Sequence, residues 1–378
     1  MKKYIYLDNA ATTKASDETK AAAELYADML FYNPSAAYAP ALKVKHKLME
    51  AAQTIASLLG ATKEEIIFTS CATESNNYAF ECGIKNKKGN IVVSATEHAS
   101  VYESALRLKS KGYDVRFVRP DKNGSISPEE TARTVDENTA FVSIIHCSNE
   151  TGAINDISAI SSAVKKICPK AVIHSDGVQA FCKIPTDMTK LGVDLYSMSA
   201  HKVGGLKGVG ALYVRKGFNM QPFIVGGGQQ NNRRSGTENV CGIIGFANSA
   251  KAYKSKAAQF DGNKFREIFI NALNGKADFT VNGNGKNSGY ILSLSFRNLR
   301  GEVIAHMMED RGVLIGLGSA CSAHVRTNRV LEAMGVDRSY AEGSIRISFC
   351  PQTTEEEVNY AAKALADSVS ELKEKIQG

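Results

Sequence analysis

Asp194-Leu195-Tyr196-Ser197-Met198-Ser199-Ala200-His201-Lys202, followed by Val203-Gly204-Gly205-Leu206-Lys207-Gly208-Val209-Gly210, is the stretch on which the fold turns. Residues 194–198 read as a short buried strand, and the chain then delivers a hydroxyl, an imidazole and an amine at its carboxyl end, where open α/β sheets bind their ligands. The glycines behind Lys202 are not a dinucleotide fingerprint, which must follow a first strand, open a helix and precede an acid ~20 residues on. They separate two strands and leave room for close approach around the lysine. A lysine after a buried strand commonly snorkels to the surface; one flanked by Ser, His and glycines also suits covalent attachment to a carbonyl.

Outward from this strand the same pattern repeats. Ile66-Ile67-Phe68-Thr69, Ile91-Val92-Val93, Val115-Arg116-Phe117-Val118, Ala140 to Ile145 and Ala171 to His174 read as buried strands. Helical stretches lie between them, such as Val44, Leu48, Ala51, Ile55 and Leu58 at spacings of three and four. Strand and helix in alternation predict a mostly parallel sheet covered on both faces. From about Lys264 the rhythm changes to helix, Phe279 to Val281, Tyr290 to Phe296, a helix over Gly301 to Arg311, Val313 to Ile315, Ser344 to Phe349 and a closing helix through Val358, Leu365 and Leu372. This predicts a separate α+β lobe, joined by a continuous helix from Asn239 to Phe265. At ~150 residues per domain, 378 residues allow two domains, or three.

Composition excludes several classes. With 43% hydrophobic and 22% charged residues the chain is neither disordered nor fibrous. No apolar run approaches the ~20 residues that cross a bilayer. The start, Met1-Lys-Lys-Tyr-Ile-Tyr-Leu-Asp8, has no leader pattern, which predicts a cytoplasmic protein. Net charge is +7, but Lys and Arg alternate with acids, so an anionic small ligand is expected rather than nucleic acid. Eight cysteines are scattered without a C-x-x-C pair. No metal site or disulfide framework is expected, and most should be small buried thiols.

The other strand ends are equally polar. Thr69-Ser-Cys-Ala-Thr-Glu-Ser-Asn-Asn77 opens a helix and reads either as a phosphate site or as a plain N-cap. Ser94-Ala-Thr-Glu-His98, His146-Cys-Ser-Asn-Glu-Thr-Gly152 and His174-Ser-Asp-Gly-Val-Gln179 follow three more strands.

In this combination the chain resembles pyridoxal-phosphate enzymes, specifically cysteine desulfurases of the class V aminotransferase group. The resemblance covers nearly the whole length. It rests on Tyr6-Leu-Asp-Asn-Ala-Ala-Thr-Thr13, Ala72-Thr-Glu-Ser-Asn-Asn77, Thr96-Glu-His98, Asn149-Glu-Thr-Gly152, Asp176-Gly-Val-Gln179, Ser199-Ala-His-Lys202, Gly226-Gly-Gly-Gln229, Arg234-Ser-Gly-Thr-Glu-Asn239, Gly318-Ser-Ala-Cys-Ser322 and Ile345-Arg-Ile-Ser348 in the family's order.

The resemblance implies a fold-type I transferase: a large cofactor-binding domain over 15–258 with a seven-stranded, mostly parallel sheet, and a small α+β domain from 1–14 and 259–378. It implies pyridoxal 5'-phosphate held by Lys202, which also moves the substrate α-proton, with Asp176 on the pyridine nitrogen and Gln179 on the ring hydroxyl. His98 would stack on the ring and shuttle protons, or simply pack, and Asn149 would touch ring and substrate. Ala72, Thr73, Ser199 and His201 match the phosphate cradle, and Thr237 a ligand supplied by the partner of a homodimer. Arg346, aided by Asn33, matches the clamp for the substrate carboxylate; without the resemblance it reads equally as an ion-paired strand residue. Cys321 matches the sulfur carrier, with His324, Arg326 and Arg329 as cationic neighbours. The implied reaction takes L-cysteine to L-alanine, with delivery of sulfur to an acceptor or scaffold protein.

Two departures stand out. Asn33-Pro-Ser-Ala-Ala-Tyr38 lacks the family's histidine, and His324-Val-Arg-Thr-Asn328 replaces the usual stretch after the cysteine, about one residue shorter. A selenocysteine lyase or another cysteine lyase would reuse Lys202, Asp176 and His98; a catalytically idle scaffold paralogue and a nicotinamide oxidoreductase are the more distant alternatives.

Overall fold

The computed structural model describes residues 4–86, 88–318 and 328–377. In chain order the strands are β1 (Ile5–Leu7), β2 (Ile66–Thr69), β3 (Asn90–Ser94), β4 (Val115–Val118), β5 (Thr139–Ser143), β6 (Val172–Asp176), β7 (Leu195–Ser199), β8 (Gly210–Val214), β9 (Phe279–Asn282), β10 (Ile291–Phe296), β11 (Val313–Ile315) and β12 (Ser344–Ser348). Seven form one sheet in the order β2-β8-β7-β6-β5-β3-β4. Only β8 runs against its neighbours, pairing antiparallel with β2 and β7.

Side-chain alternation explains why these runs are apolar throughout. Phe68, Val92, Val142, Ile173 and Tyr196 enter the core on one face, and their chain neighbours Ile67, Ile91, Val93, Phe141, Val172 and Leu195 enter the core on the other. Burying each such side chain contributes roughly 1.5–3 kcal/mol. The first face is covered in part by helix Val240–Ala257, which packs on helices Asp17–Glu24 and Ala39–Leu58. The second is covered by helices Ala72–Gly83 and Ala99–Ser110.

A three-stranded antiparallel sheet, β12-β10-β9, gathers another core with Leu292, Leu294, Phe296, Ile345 and Ile347, closed by helices Gly262–Leu273, Gly301–Asp310 and Glu355–Gln377. Leu7 joins this core because β1 pairs parallel with β11, from Ile5 opposite Val313 to Leu7 opposite Ile315.

Two expectations need correcting. The helix expected over Asn239 to Phe265 is broken: Val240–Ala257 ends at Ala258, and a new helix starts at Gly262 under Asp261, whose carboxylate accepts from the Lys264 N–H at 3.2 Å. A Cβ at Gly262 would lie 2.1 Å from the Gly289 carbonyl oxygen, so the Asp-Gly pair serves a cap and a close approach rather than a continuous helix. Of the seven described cysteines, Cys147, Cys168 and Cys182 are buried, while Cys71, Cys82, Cys241 and Cys350 are partly exposed.

Candidate active site

The carboxyl ends of β3, β5, β6 and β7 open on a cavity of about 580 Å³. The segment over 8–13 crosses it and ties it to the smaller sheet. Asn9 Nδ2 donates to the Ser348 carbonyl at 2.9 Å, the Ala10 N–H donates to Ser348 Oγ at 2.8 Å, and the Tyr6 hydroxyl donates to the carbonyls of Asp8 and Thr12. On the far side Thr13 Oγ1 donates to the His201 carbonyl and accepts from the Gly204 N–H.

Lys202 sits in a single 3-10 turn after β7, Ala200–Lys202. Gly205 lets that turn fold back on itself, since a Cβ there would lie 2.7 Å from Ala200 Cβ. The amine donates to the carbonyls of Ala10 at 2.5 Å and Ala11 at 2.8 Å. Burial, ahead of the neighbouring Lys183 and Arg346 cations, lowers it to about 7. A substantial neutral fraction is therefore available near pH 7, as a nucleophilic or proton-accepting lysine requires.

Asp176 ends β6, 2% exposed, with Oδ2 accepting from Asn76 Nδ2 at 2.8 Å and Oδ1 from the Val178 N–H at 3.0 Å. His98 caps helix Ala99–Ser110, and its Nδ1 accepts from the Ser100 N–H at 3.2 Å. That bond places the proton of the neutral ring on Nε2. The ring is accessible from the cavity, yet the enclosing protein, reinforced by Lys202 and opposed by Asp176, holds it below the ordinary imidazole range. Glu97 beneath it is 1% exposed; its Oε1 accepts from Ser94 Oγ and the Ile145 N–H, and burial raises it well above the carboxylate range.

Arg346 projects from β12 with two carboxylates beside it. Its Nη2 lies 2.9 Å from Asp8 Oδ1, and its Nη1 donates to the Asn149 carbonyl at 3.0 Å and lies 3.6 Å from Glu150 Oε1. Nε has no partner. Nε is buried, so the Nε–Nη2 edge is the side on which the guanidinium still has a hydrogen bond to make, with Asp8 on its Nη2.

Ala72, Thr73, His98, Asn149, Asp176, Gln179, Ser199, His201, Lys202 and Arg346 all line this one cavity. Asn33 and Thr237 do not: both are exposed, and Asn33 Oδ1 is engaged by the Ser35 N–H at 2.9 Å. Cys321, His324 and Arg326 lie outside the described residues. Arg329 stands over the Tyr102 ring at 3.9 Å and donates to the carbonyls of Ala95 and Glu97. Sequence reasoning gave no role to Asp8, Asn76, Glu97, Glu150 or the Ala10 carbonyl. Their signal was their place inside motifs already noted, next to residues that were assigned.

The walls fit pyridoxal phosphate. Four cavity-lining side chains, Glu97, Asn149, Ser199 and Arg346, each carry a buried polar atom without a protein partner. Unpaired buried polar atoms are rare and costly, so their convergence on one cavity marks a polar ligand site. Ser199 Oγ and the backbone opening helix Ala72–Gly83 suit a phosphate, and Asp176 suits a protonated ring nitrogen. A Cβ at Gly210 would lie 2.6 Å from the Cys71 carbonyl carbon, so glycine there lets β8 pass under that turn.

One family model, aminotransferase class-V, matches residues 5–360. A cysteine desulfurase IscS of Dictyoglomus turgidum is 36% identical over 99% of this chain and 96% of its own length. One from Mannheimia succiniciproducens is 36% identical over 99% and 95%. Among solved structures, a NifS-like protein superposes with a TM-score of 0.90 at 36% identity, covering 98% of this chain and all of its own. SspA in complex with cysteine gives 0.82 at 32%, covering 93% and 100%.

Proposed function

Because the chain belongs to the class-V aminotransferase family, we propose that it is a pyridoxal-phosphate-dependent cysteine desulfurase that converts L-cysteine to L-alanine and receives the sulfur on Cys321. The observation that carries this reading is the convergence of Lys202, Asp176 and Arg346 on one cavity walled by partnerless polar atoms. Pyridoxal phosphate, when bound, supplies an electron sink for charge developing at the substrate Cα.

The chain's own residues do the rest. Arg346 binds the substrate carboxylate through the guanidinium edge that carries the partnerless Nε and so orients the Cα–H bond. Asp176, held by Asn76 and Val178, keeps the pyridine nitrogen protonated. Lys202 Nζ takes the α-proton. The Cys321 thiolate attacks the substrate sulfur: an S–S bond forms, the substrate C–S bond breaks, and its electron pair passes to the carbon skeleton, which is protonated and leaves as alanine. His98, its proton on Nε2, lines the same cavity and would hold or return a proton there. The persulfide then passes to an acceptor protein.

A homodimer completes the assembly in this reading. The exposed Thr237 would reach a neighbouring cavity, and Met29, Phe31 and Val225, 70%, 67% and 77% exposed, supply apolar surface for a second copy to cover. The division into 15–258 against 1–14 with 259–378 is supported by the pairing of β1 with β11. A thiol nucleophile suits the reducing cytoplasm.

The test incubates the purified protein with L-cysteine and a reductant. Alanine and sulfide should form in equal amounts, and Cys321→Ser should abolish sulfide while keeping the visible absorbance of the lysine-bound cofactor. Undiminished cysteine turnover by Cys321→Ser would instead favour a selenocysteine or other cysteine lyase.

A further inference from the structure

Gln179 faces two partners that can each meet only one end of its amide. Lys183 Nζ, a donor without a lone pair, lies 2.6 Å from Oε1, and the Ala10 carbonyl, an acceptor only, lies 3.0 Å from Nε2. The amide can take one orientation, and a second Nε2–H remains on a residue that lines the cavity. Lys183 reaches this position from the turn after β6, where the N–H groups of Phe181 and Ile184 bond to the carbonyls of Gly177 and Ala180. Its ammonium is part-buried and stands 5.7 Å from the centroid of the Tyr290 ring.

We propose that Lys183 is a positioning residue, which locks the Gln179 amide so that an N–H, and not the carbonyl oxygen, faces the ring oxygen of the cofactor. The proposal rests on the functional reading above and deepens it. Without Lys183 only the Ala10 carbonyl still selects the amide orientation, so one contact instead of two opposes the flip that would turn a lone pair toward the ring oxygen. A second consequence concerns Lys202. Lys202 Nζ shares the Ala10 carbonyl with Gln179 Nε2, so one amide links the two lysines. Burial does most to disfavour protonation of Lys202, the Lys183 and Arg346 cations add to it, and Asp8 and Asp176 oppose it. Around Lys183 itself stand Cys147, Cys350, Cys182 and Arg346. Lys183 therefore also favours the neutral form of the working amine.

The holoenzymes of Lys183→Met, Lys183→Gln and Lys183→Arg are compared with the unaltered protein. The visible band of the bound cofactor is titrated against pH, cofactor retention is measured by ultrafiltration against added pyridoxal phosphate, and thermal melts check folding. Lys183→Met should weaken retention about tenfold, the loss of one charge-assisted hydrogen bond, and move the titration midpoint to higher pH by about half a unit or more. Lys183→Arg should restore both. If Lys183→Met does not fold, Lys183→Gln decides: it keeps a donor without the charge, so the midpoint should rise while retention stays within about twofold. A folded Lys183→Met with unchanged midpoint and retention, or an unmoved midpoint in Lys183→Gln, overturns the proposal. Absence of the band in the unaltered enzyme would sink the cofactor reading, and this inference with it.

Discussion

Replacing Arg346 by Lys keeps the charge and removes the fork. In the folded chain Nη1 is committed to the Asn149 carbonyl and approaches Glu150, Nη2 meets Asp8, and the buried Nε alone is unpaired, so the proposed carboxylate contact uses the Nε–Nη2 edge. A lysine ammonium presents a single point of contact there and must also serve Asp8. One charge-assisted hydrogen bond to substrate is lost, about 1.5–3 kcal/mol, which converts to roughly 10- to 150-fold in affinity at 1.4 kcal/mol per decade. The assay is steady-state alanine formation against L-cysteine concentration, with cysteamine, which lacks the carboxylate, as a second ligand scored by its shift of the cofactor spectrum. KM for cysteine should rise by that range, and cysteamine binding should change by less than about threefold. If KM moves less than about threefold, or both ligands weaken alike, Arg346 is not the carboxylate clamp.

Three further outcomes follow from the geometry. His146 and His174, 4% and 0% exposed, are lowered by burial to about 4 and about 3. The unfolded chain therefore takes these protons first, and stability present above the ordinary value of ~6.5 drains as pH falls, by about 2 kcal/mol per imidazole at about pH 5; urea midpoints at that pH and near neutrality check it. Ser199→Ala should weaken cofactor retention about five- to tenfold without lowering the melting temperature of the cofactor-free protein, because its hydroxyl has no protein partner to lose. Gly177→Ala should cost about 1–3 kcal/mol or more in urea unfolding, since its Cβ would lie 1.9 Å from the Tyr196 ring.

Much of this was legible in sequence because the parallel sheet is buried on both faces. Ile66–Thr69, Ile91–Val93 and Val115–Val118 read as apolar runs and fold as strands, and the polar residues behind them converge because parallel strands end on one side. The break before Gly262 was not legible: an Asp-Gly pair within a polar stretch does not say that Gly289 will pass within 2.1 Å of a Cβ. The partners of Arg346 were also hidden, since Asp8 lies 338 residues away and meets it where the chain after β1 bridges to Ser348 of β12. Lys183 looked like any charged residue in a turn; its bond to Gln179 depends on a backbone path that spacing does not reveal.

Burial lowers two lysines, Lys202, which lines the cavity, to about 7, and Lys183, which bonds to the cavity-lining Gln179, to about 8; the proposed function requires Lys202 to be the one that carries the cofactor. Borohydride reduction of the holoenzyme followed by peptide mapping decides between them. A pyridoxyl group should appear on the peptide containing Lys202 and none on the peptide containing Lys183; an adduct on Lys183, or on neither, would remove Lys202 as the anchoring amine.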